Sequence, residues 1–222
     1  MKYCLPKLFM LLIAMVVLSC CGTNNETGQL YSEWMTKKIV LPNHYIVLER
    51  NNVSMNSKCQ ASFTIVNYID SSGCTKCKSR LPMWKNFIDE LFYKTDSLSR
   101  VLLFIHPKQL DDVRNLVMET HFPYPVCIDL ADSLNKLNHF PADERFHCFL
   151  LDEDNRVILI GNPVQNPKIK ELYIRTICER LGIEPLSVAK DENHIEHNFD
   201  KFPYTETKTT EFVLGNTSGR QW

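Results

Sequence analysis

The sequence predicts an α/β chain: a mixed sheet with helices on both faces, plus a short C-terminal β-hairpin-like tail. Three observations carry this expectation. Between residues 61 and 182 β-rich runs alternate with helical apolar stripes, and two strands near the end of that region flank a short polar turn. A length of 222 residues at 44% hydrophobic composition supports one compact domain with some tens of residues left over. The near-balance of 25 basic and 26 acidic residues leaves no electrostatic footprint for a phosphate backbone, so nucleic acid is excluded as a partner. Seven glycines are too few for a turn-rich all-β repeat array.

The chain opens on a segment that addresses it rather than folds. Lys2 and Lys7 precede an unbroken apolar run over residues 8–18, long enough for a signal-peptide core and too short to span a bilayer. Val17-Leu18-Ser19-Cys20 resembles a bacterial lipobox, which implies a signal peptide over 1–19 and lipidation of Cys20 as the mature N-terminus. An ordinary cleaved signal is the alternative. The polar residues after Cys20 read as a tether over 20–36, and the expected location is the cell envelope, lipid-anchored and facing the periplasm or cell exterior.

Within 37–182 the elements follow one another in a definite order. Residues 61–69 form a β-rich run, and Trp84, Phe87, Ile88 and Leu91 then fall at i, i+3, i+4, i+7, one stripe of a helix that lies on the sheet. Residues 100–105 predict the next strand, Leu110, Val113 and Val117 a second helix, residues 126–130 a third strand, and Leu134 with Leu137 a short helix. Residues 146–151 and 156–160 are strands joined by Asp152-Glu153-Asp154-Asn155, so they pair antiparallel. Ile174, Ile177, Cys178 and Leu181 mark a last helix, which Gly182 ends in the C-cap position.

Export changes how the cysteines read, because thiols outside the cytosol meet oxidants. Of nine cysteines, setting aside Cys4 and Cys20 leaves Cys21, Cys59, Cys74, Cys77, Cys127, Cys148 and Cys178, and only Cys74 and Cys77 are closely spaced. Cys74-Thr75-Lys76-Cys77 sits where the first strand of the domain turns into a helix. A thiolate there is favoured by unpaired backbone N–H groups and by the charge of Lys76, so the Cys74 pKa is expected below the free value of about 8.5. Cys77, one turn further along, is close enough to close a ring with it. The alternatives are a passive disulfide and half of a zinc site, but zinc needs two more ligands and the sequence holds no second CxxC and no HxxxH. Cys148 beside His147, Cys127 and Cys178 read as buried side chains; Cys59 is in a polar loop.

Val66-Asn67-Tyr68 before the motif, Cys74-Thr75-Lys76-Cys77 itself, Pro82 five residues later, and Phe149-Leu150-Leu151-Asp152 followed by Arg156-Val157-Ile158 together resemble the membrane-anchored, TlpA-type thiol-disulfide oxidoreductases of the thioredoxin fold. The resemblance implies a thioredoxin-like domain over 37–182 with Cys74 as nucleophile and Cys77 as resolving thiol, and no cofactor beyond the two sulfurs. It also implies that Pro82 kinks a long active-site helix. Partners would be protein thiols or disulfides outside the cytoplasm, with reduction favoured over oxidation and a membrane electron donor of unidentified kind. The chain departs from the pattern at Gly73, where a tryptophan is usual, and at Arg80, where an acid is common. It departs again at Phe146, which alignment places where the family has a cis-proline facing the cysteines, so a trans loop is expected. A redox-degenerate binding module on a lipid anchor is the rival reading. A peroxiredoxin-like peroxidase is a further one, although its P-x-x-x-T/S-x-x-C context is absent before Cys74.

After Gly182 comes a linker and a tail, 183–222. Phe199-Asp200-Lys201-Phe202 and Phe212-Val213-Leu214-Gly215-Asn216-Thr217 resemble the opening of a hydin-type immunoglobulin-like domain, and two strands cannot bury a sandwich core.

Overall fold

The computed structural model describes residues 23–49, 52–55, 61–72, 74–95 and 98–184. The expected signal peptide over 1–19, the expected lipidation site Cys20, Cys21, Cys59, Gly73 and the tail from residue 185 lie outside the described residues. From the N-terminus the elements are α1 (Thr23–Trp34), β1 (Ile46–Glu49), β2 (Asn52–Met55), β3 (Phe63–Ile69), α2 (Thr75–Ser79), α3 (Leu81–Thr95) and β4 (Ser99–Ile105). There follow α4 (Leu110–Thr120), β5 (Val126–Ile128), α5 (Ser133–Asn138), a 3-10 turn (Glu144–Phe146), β6 (Cys148–Leu151), β7 (Val157–Ile160) and α6 (Pro167–Leu181).

One seven-stranded sheet runs in the order β2-β1-β5-β4-β3-β6-β7. β3 is its axis: Phe-Thr-Ile-Val-Asn-Tyr-Ile is buried at every position, as a strand covered on both faces must be. It pairs parallel with β4, from Phe63 opposite Ser99 to Ile69 opposite Ile105, and antiparallel with β6, from Thr64 opposite Leu151 to Asn67 opposite Cys148. Alternation along the strands sorts the core into two layers. Ile65, Ile69, Leu103 and Ile105 join Trp84, Ile88 and Leu91 of α3, Val113 and Val117 of α4, and Ile174 and Ile177 of α6. Val66, Tyr68, Phe104 and Phe149 instead meet Trp34 of α1, Leu134 of α5 and Phe146. The architecture is the mixed α/β sheet with helices on both faces that the sequence predicts.

Local signals hold where the chemistry is specific. Asp152 accepts from the N–H groups of Asp154 and Arg156 at 3.0 and 2.8 Å, and Asn155 takes φ 61°, closing the β6–β7 hairpin. α6 is capped by the Asn166 side chain, starts at Pro167 and ends at Gly182 with φ 67°, where Ile183 N–H reaches back to the Cys178 carbonyl at 3.0 Å.

Three expectations are corrected. The stretch read as a tether is largely the helix α1, whose last residue Trp34 is only 1% exposed, stacked on Phe149 with centroids 5.5 Å apart, and covered by the Lys37 ammonium 3.6 Å from its ring. Residues 36–39 then lie along the outer edge of β7 and its turn: Val157 N–H donates to the Lys37 carbonyl at 2.9 Å and Thr36 N–H to that of Val157 at 3.0 Å. This contact covers part of an otherwise open strand edge. The hairpin β1–β2, which pairs β1 antiparallel with β5, is not among the predicted strands. Finally, Pro82 does not kink a continuous helix. The chain breaks at Arg80, which takes the left-handed conformation (φ 45°, ψ 40°), and Pro82 sits in the first turn of a new helix, α3. A proline there has no N–H to offer the Lys78 carbonyl and its ring would clash with it, so the helix stops before the ring and restarts at it.

Because Trp34 is part of the core, Trp34→Ala is expected to lower stability by about 3–5 kcal/mol, the usual cost of emptying a buried aromatic site. Urea unfolding of the chain measures it; a residue in a solvated tether would shift the midpoint by no more than about 0.5 kcal/mol equivalent.

Candidate functional site

The site is built on the C-terminal end of β3. Past Ile69 the chain turns through Asp70, whose carboxylate accepts from Ser72 N–H at 3.0 Å and from the Ser72 hydroxyl at 2.8 Å. Cys74 follows as the N-cap of α2, and its Sγ accepts from Cys77 N–H at 3.3 Å. A serine or aspartate oxygen normally fills this role; here a sulfur does, and a sulfur accepts best when ionised. Thr75 opens the helix, and Cys77 stands one turn along. Both cysteines are free thiols, and both are exposed.

The two sulfurs are not equivalent. The hydrogen bond from the Cys77 side chain, then that from the Cys77 backbone N–H, holds the Cys74 thiol below the ordinary thiol range, with Lys76 adding a smaller electrostatic share. The same interaction, seen from the other side, pushes Cys77 up, because the negative sulfur of Cys74 discourages a second charge beside it. Lys76 itself is turned toward α4, where its ammonium meets Glu119 at 2.7 Å, and this ion pair raises the Lys76 pKa.

Lys78 is the structural hub. Its ammonium donates to Asp70 at 2.7 Å, to the Ser72 hydroxyl at 2.9 Å and to Glu144 at 2.6 Å. It therefore ties the loop before Cys74, the helix carrying Cys77 and the 3-10 turn before β6 to one point. Burial works against both charges, yet the hydrogen bonds of Lys78 and Ser72 hold the Asp70 carboxyl below the usual carboxylate range, and those of Asp70 and Glu144 raise Lys78. The hub borders a cleft of about 160 Å³, lined by Cys77, Tyr68, Arg80, Glu144 and His147 among others. Tyr68 donates its hydroxyl to Asp132 at 2.6 Å; burial and that bond together push its own ionisation far up.

Of the predicted site residues, Cys74, Thr75, Lys76 and Cys77 come together on α2, and Pro82 lies one helix on. Phe146 does not face the dithiol. It is 2% exposed and packed in the layer with Tyr68 and Phe149, and the residue lining the cleft is its neighbour His147. Phe146 closes the 3-10 turn and His147 caps it at φ -109°, ψ 2°, so neighbouring side chains leave the turn in different directions, one into the core and one to the cleft. The described residues contain no cis peptide bond. Sequence reasoning missed Lys78, Glu144 and Asp70 as well; their partners lie up to 66 residues apart, and only Lys78's place next to Cys77 hints at them. Cys127, Cys148 and Cys178 are buried core side chains, as expected, and burial raises the Cys127 thiol to about 12. Among the described residues no group of three His, Cys, Asp or Glu is placed to hold a metal ion, and no helix is long and apolar enough to cross a membrane.

No protein-family model matches the sequence, and no curated protein matches it. Among solved structures, the chain is similar to the thioredoxin domain of a thiol-disulfide oxidoreductase from Bacteroides vulgatus, with 10% identity over 63% of this chain and 97% of that one and a TM-score of 0.46. It is also similar to a protein described as the thiol:disulfide interchange protein DsbE from Chlorobium tepidum, with 15% identity, 64% and 99% coverage and a TM-score of 0.47. The mitochondrial 2-Cys peroxiredoxin of Plasmodium falciparum is a third, with 12% identity, 66% and 94% coverage and a TM-score of 0.48. These likenesses concern architecture only.

The asymmetry of the dithiol is directly measurable. Iodoacetamide should modify Cys74 before Cys77, with a pH midpoint below the free-thiol value of about 8.5 and a rate that falls tenfold per pH unit beneath that midpoint. Peptide mapping by mass spectrometry reads both. Equal labelling of the two cysteines, with a midpoint at or above the free value, is the contrary result.

Proposed function

We propose that the chain is an exported, lipid-anchored thiol-disulfide oxidoreductase that reduces disulfides of proteins outside the cytoplasm, with Cys74 as the nucleophile and Cys77 as the resolving thiol. One observation carries this reading: an exposed sulfur, favoured as thiolate, stands one helical turn from a second exposed sulfur that is favoured as thiol. Exchange needs that division of labour. The Cys74 thiolate attacks one sulfur of a substrate disulfide, forming a new S–S bond while the old one breaks and its electron pair leaves on the second substrate sulfur. Cys77 then loses its proton and attacks the Cys74 sulfur. A ring disulfide closes, the remaining substrate thiol departs, and two electrons have passed from the protein to its substrate.

Export and anchoring rest on the apolar run over residues 8–18 and on Cys20. The reducing direction rests on the resemblance to TlpA-type proteins and requires a donor at the membrane to return the ring to the dithiol. A passive disulfide would not explain why the leading sulfur is left open to solvent at a helix start.

The test is a trapping experiment. In the full chain, Cys77→Ser should accumulate a mixed disulfide with extracytoplasmic proteins, seen as a species that collapses on adding dithiothreitol. Cys74→Ser should trap nothing, and wild type should cycle between two alkylation patterns before and after dithiothreitol. A Cys74–Cys77 pair that never cycles, together with a Cys77→Ser variant that captures no partner, refutes the proposal.

A further inference from the structure

Thiol exchange, as proposed above, leaves one requirement unmet by the two sulfurs alone: the resolving thiol must give up a proton, and Cys77 is the harder of the two to ionise. Cys77 lines the polar cleft beside α2, and the side chains that could assist beyond bulk water are those of the same walls. Asp70 and Glu144 are both bonded to Lys78, at 2.7 and 2.6 Å, and Asp70 is held ionised by it; a carboxylate kept so acidic is a weak base. Asp143, adjacent to Glu144, is committed to the Arg145 guanidinium at 2.6 Å. Tyr68 directs its hydroxyl hydrogen to Asp132 and so takes no proton from the cleft. Lys78 and Arg80 are cations, and the amide side chains in the walls are not bases.

The remaining group is an imidazole. His147 enters β6 from the 3-10 turn, its backbone carbonyl accepts from Tyr68 N–H at 2.8 Å, and its ring is packed edge-on to Tyr68 at 5.4 Å. Nε2 lies 2.7 Å from the Pro141 carbonyl oxygen. A carbonyl only accepts, so Nε2 carries hydrogen and the neutral ring keeps its lone pair on Nδ1. The ring is thus oriented and its tautomer fixed before any substrate arrives.

We propose that His147 is the proton acceptor for Cys77 in the resolving step, acting across the cleft the two residues share. The Cys77 S–H bond breaks as its proton passes to His147 Nδ1 through cleft water. The Cys77 sulfur bonds to the Cys74 sulfur, the Cys74–substrate S–S bond breaks, and its electron pair leaves on the substrate sulfur. The imidazolium then returns its proton to the departing thiolate or to solvent. Nothing beyond the exchange itself is oxidised or reduced.

Full-length reduced chain mixed with Ellman's reagent separates the steps, since formation of the Cys74 adduct reports attack and its decay reports resolution; quenched-flow mass spectrometry follows both. His147→Gln preserves an N–H for the Pro141 carbonyl but cannot hold a proton. Its adduct is expected to decay about 100-fold more slowly than wild type at pH 7, with a rate that climbs tenfold per pH unit into the alkaline range. Added imidazole should restore the neutral rate. Formation of the adduct on Cys74 serves as the check that the site is intact. Equal decay rates and pH profiles for wild type and variant overturn the assignment, as does slow decay that imidazole leaves unchanged, because that pattern marks a structural role. If wild type forms no adduct that Cys77 resolves, the exchange chemistry itself has failed and the assignment falls with it.

Discussion

β3 is buried on both faces along all seven residues, so its backbone has no water to fall back on and must be satisfied by β4 on one side and β6 on the other. Everything at the site hangs from that constraint. The parallel register with β4 and the antiparallel register with β6 fix where β3 ends, and the chain leaving that end carries the two sulfurs. The same registers bring the start of β6 alongside, with Asn67 opposite Cys148 and Tyr68 bonded to His147. The dithiol and the turn that faces it meet because two strands are paired, and not because they attract each other. The 3-10 turn at the start of β6 then decides which neighbour faces where: Phe146 enters the core and His147 lines the cleft.

Lys78 completes what pairing begins. Strand register brings Glu144 near α2, but a turn of three residues at a strand end is free to move unless something holds it. The Lys78 ammonium does so from the residue next to Cys77, and the cost of partly burying a cation is met by three oxygens. The left-handed residue Arg80 follows directly. By ending α2 after five residues, it leaves a helix too short to sum many peptide dipoles, so the favouring of the Cys74 thiolate is local, coming first from the Cys77 side chain and its N–H. The position of Cys74 at a helix start therefore matters through its nearest donors, and the Lys76 charge adds least.

What the sequence made legible were features with short-range causes. The alternation of strands and helical stripes, the Asp152–Asn155 turn, the Gly182 cap and the place of Cys74 between strand and helix are each written in a few adjacent residues. α1 was hidden because, among its described side chains, only Leu30 and Trp34 turn to the core, too sparse a stripe to distinguish from a solvated tether. β1 and β2 have four residues each, the shortest run in which alternation is a signal. The hub at Lys78 was hidden for a different reason: Asp70 lies eight residues away and Glu144 lies 66, and no local rule relates them. His147 was named only as the neighbour of Cys148, since its place at the cleft depends on the 3-10 turn before it and on the distant residues that line the same walls.

The charges around Cys74 also bear on the direction of electron flow. An interaction that favours a thiolate over a disulfide stabilises the reduced protein and makes it a poorer reductant, so strong activation of the nucleophile and strong reducing power pull in opposite directions. Lys76 is the residue that would most easily tip this balance, being the nearest cation in sequence to both sulfurs. Its ammonium is instead drawn 2.7 Å to Glu119 on α4, and its effect on Cys74 comes last among the contributions. Cys77, pushed up by the same neighbour that activates Cys74, works against ionisation of the pair as a whole. The thiolate is therefore supported mainly by one N–H and one thiol, the modest local support that the proposed attacking role would need. For the reducing role proposed above that compromise is what would be required, and the pairing of Lys76 with Glu119, 43 residues away on another helix, draws the nearest cation aside.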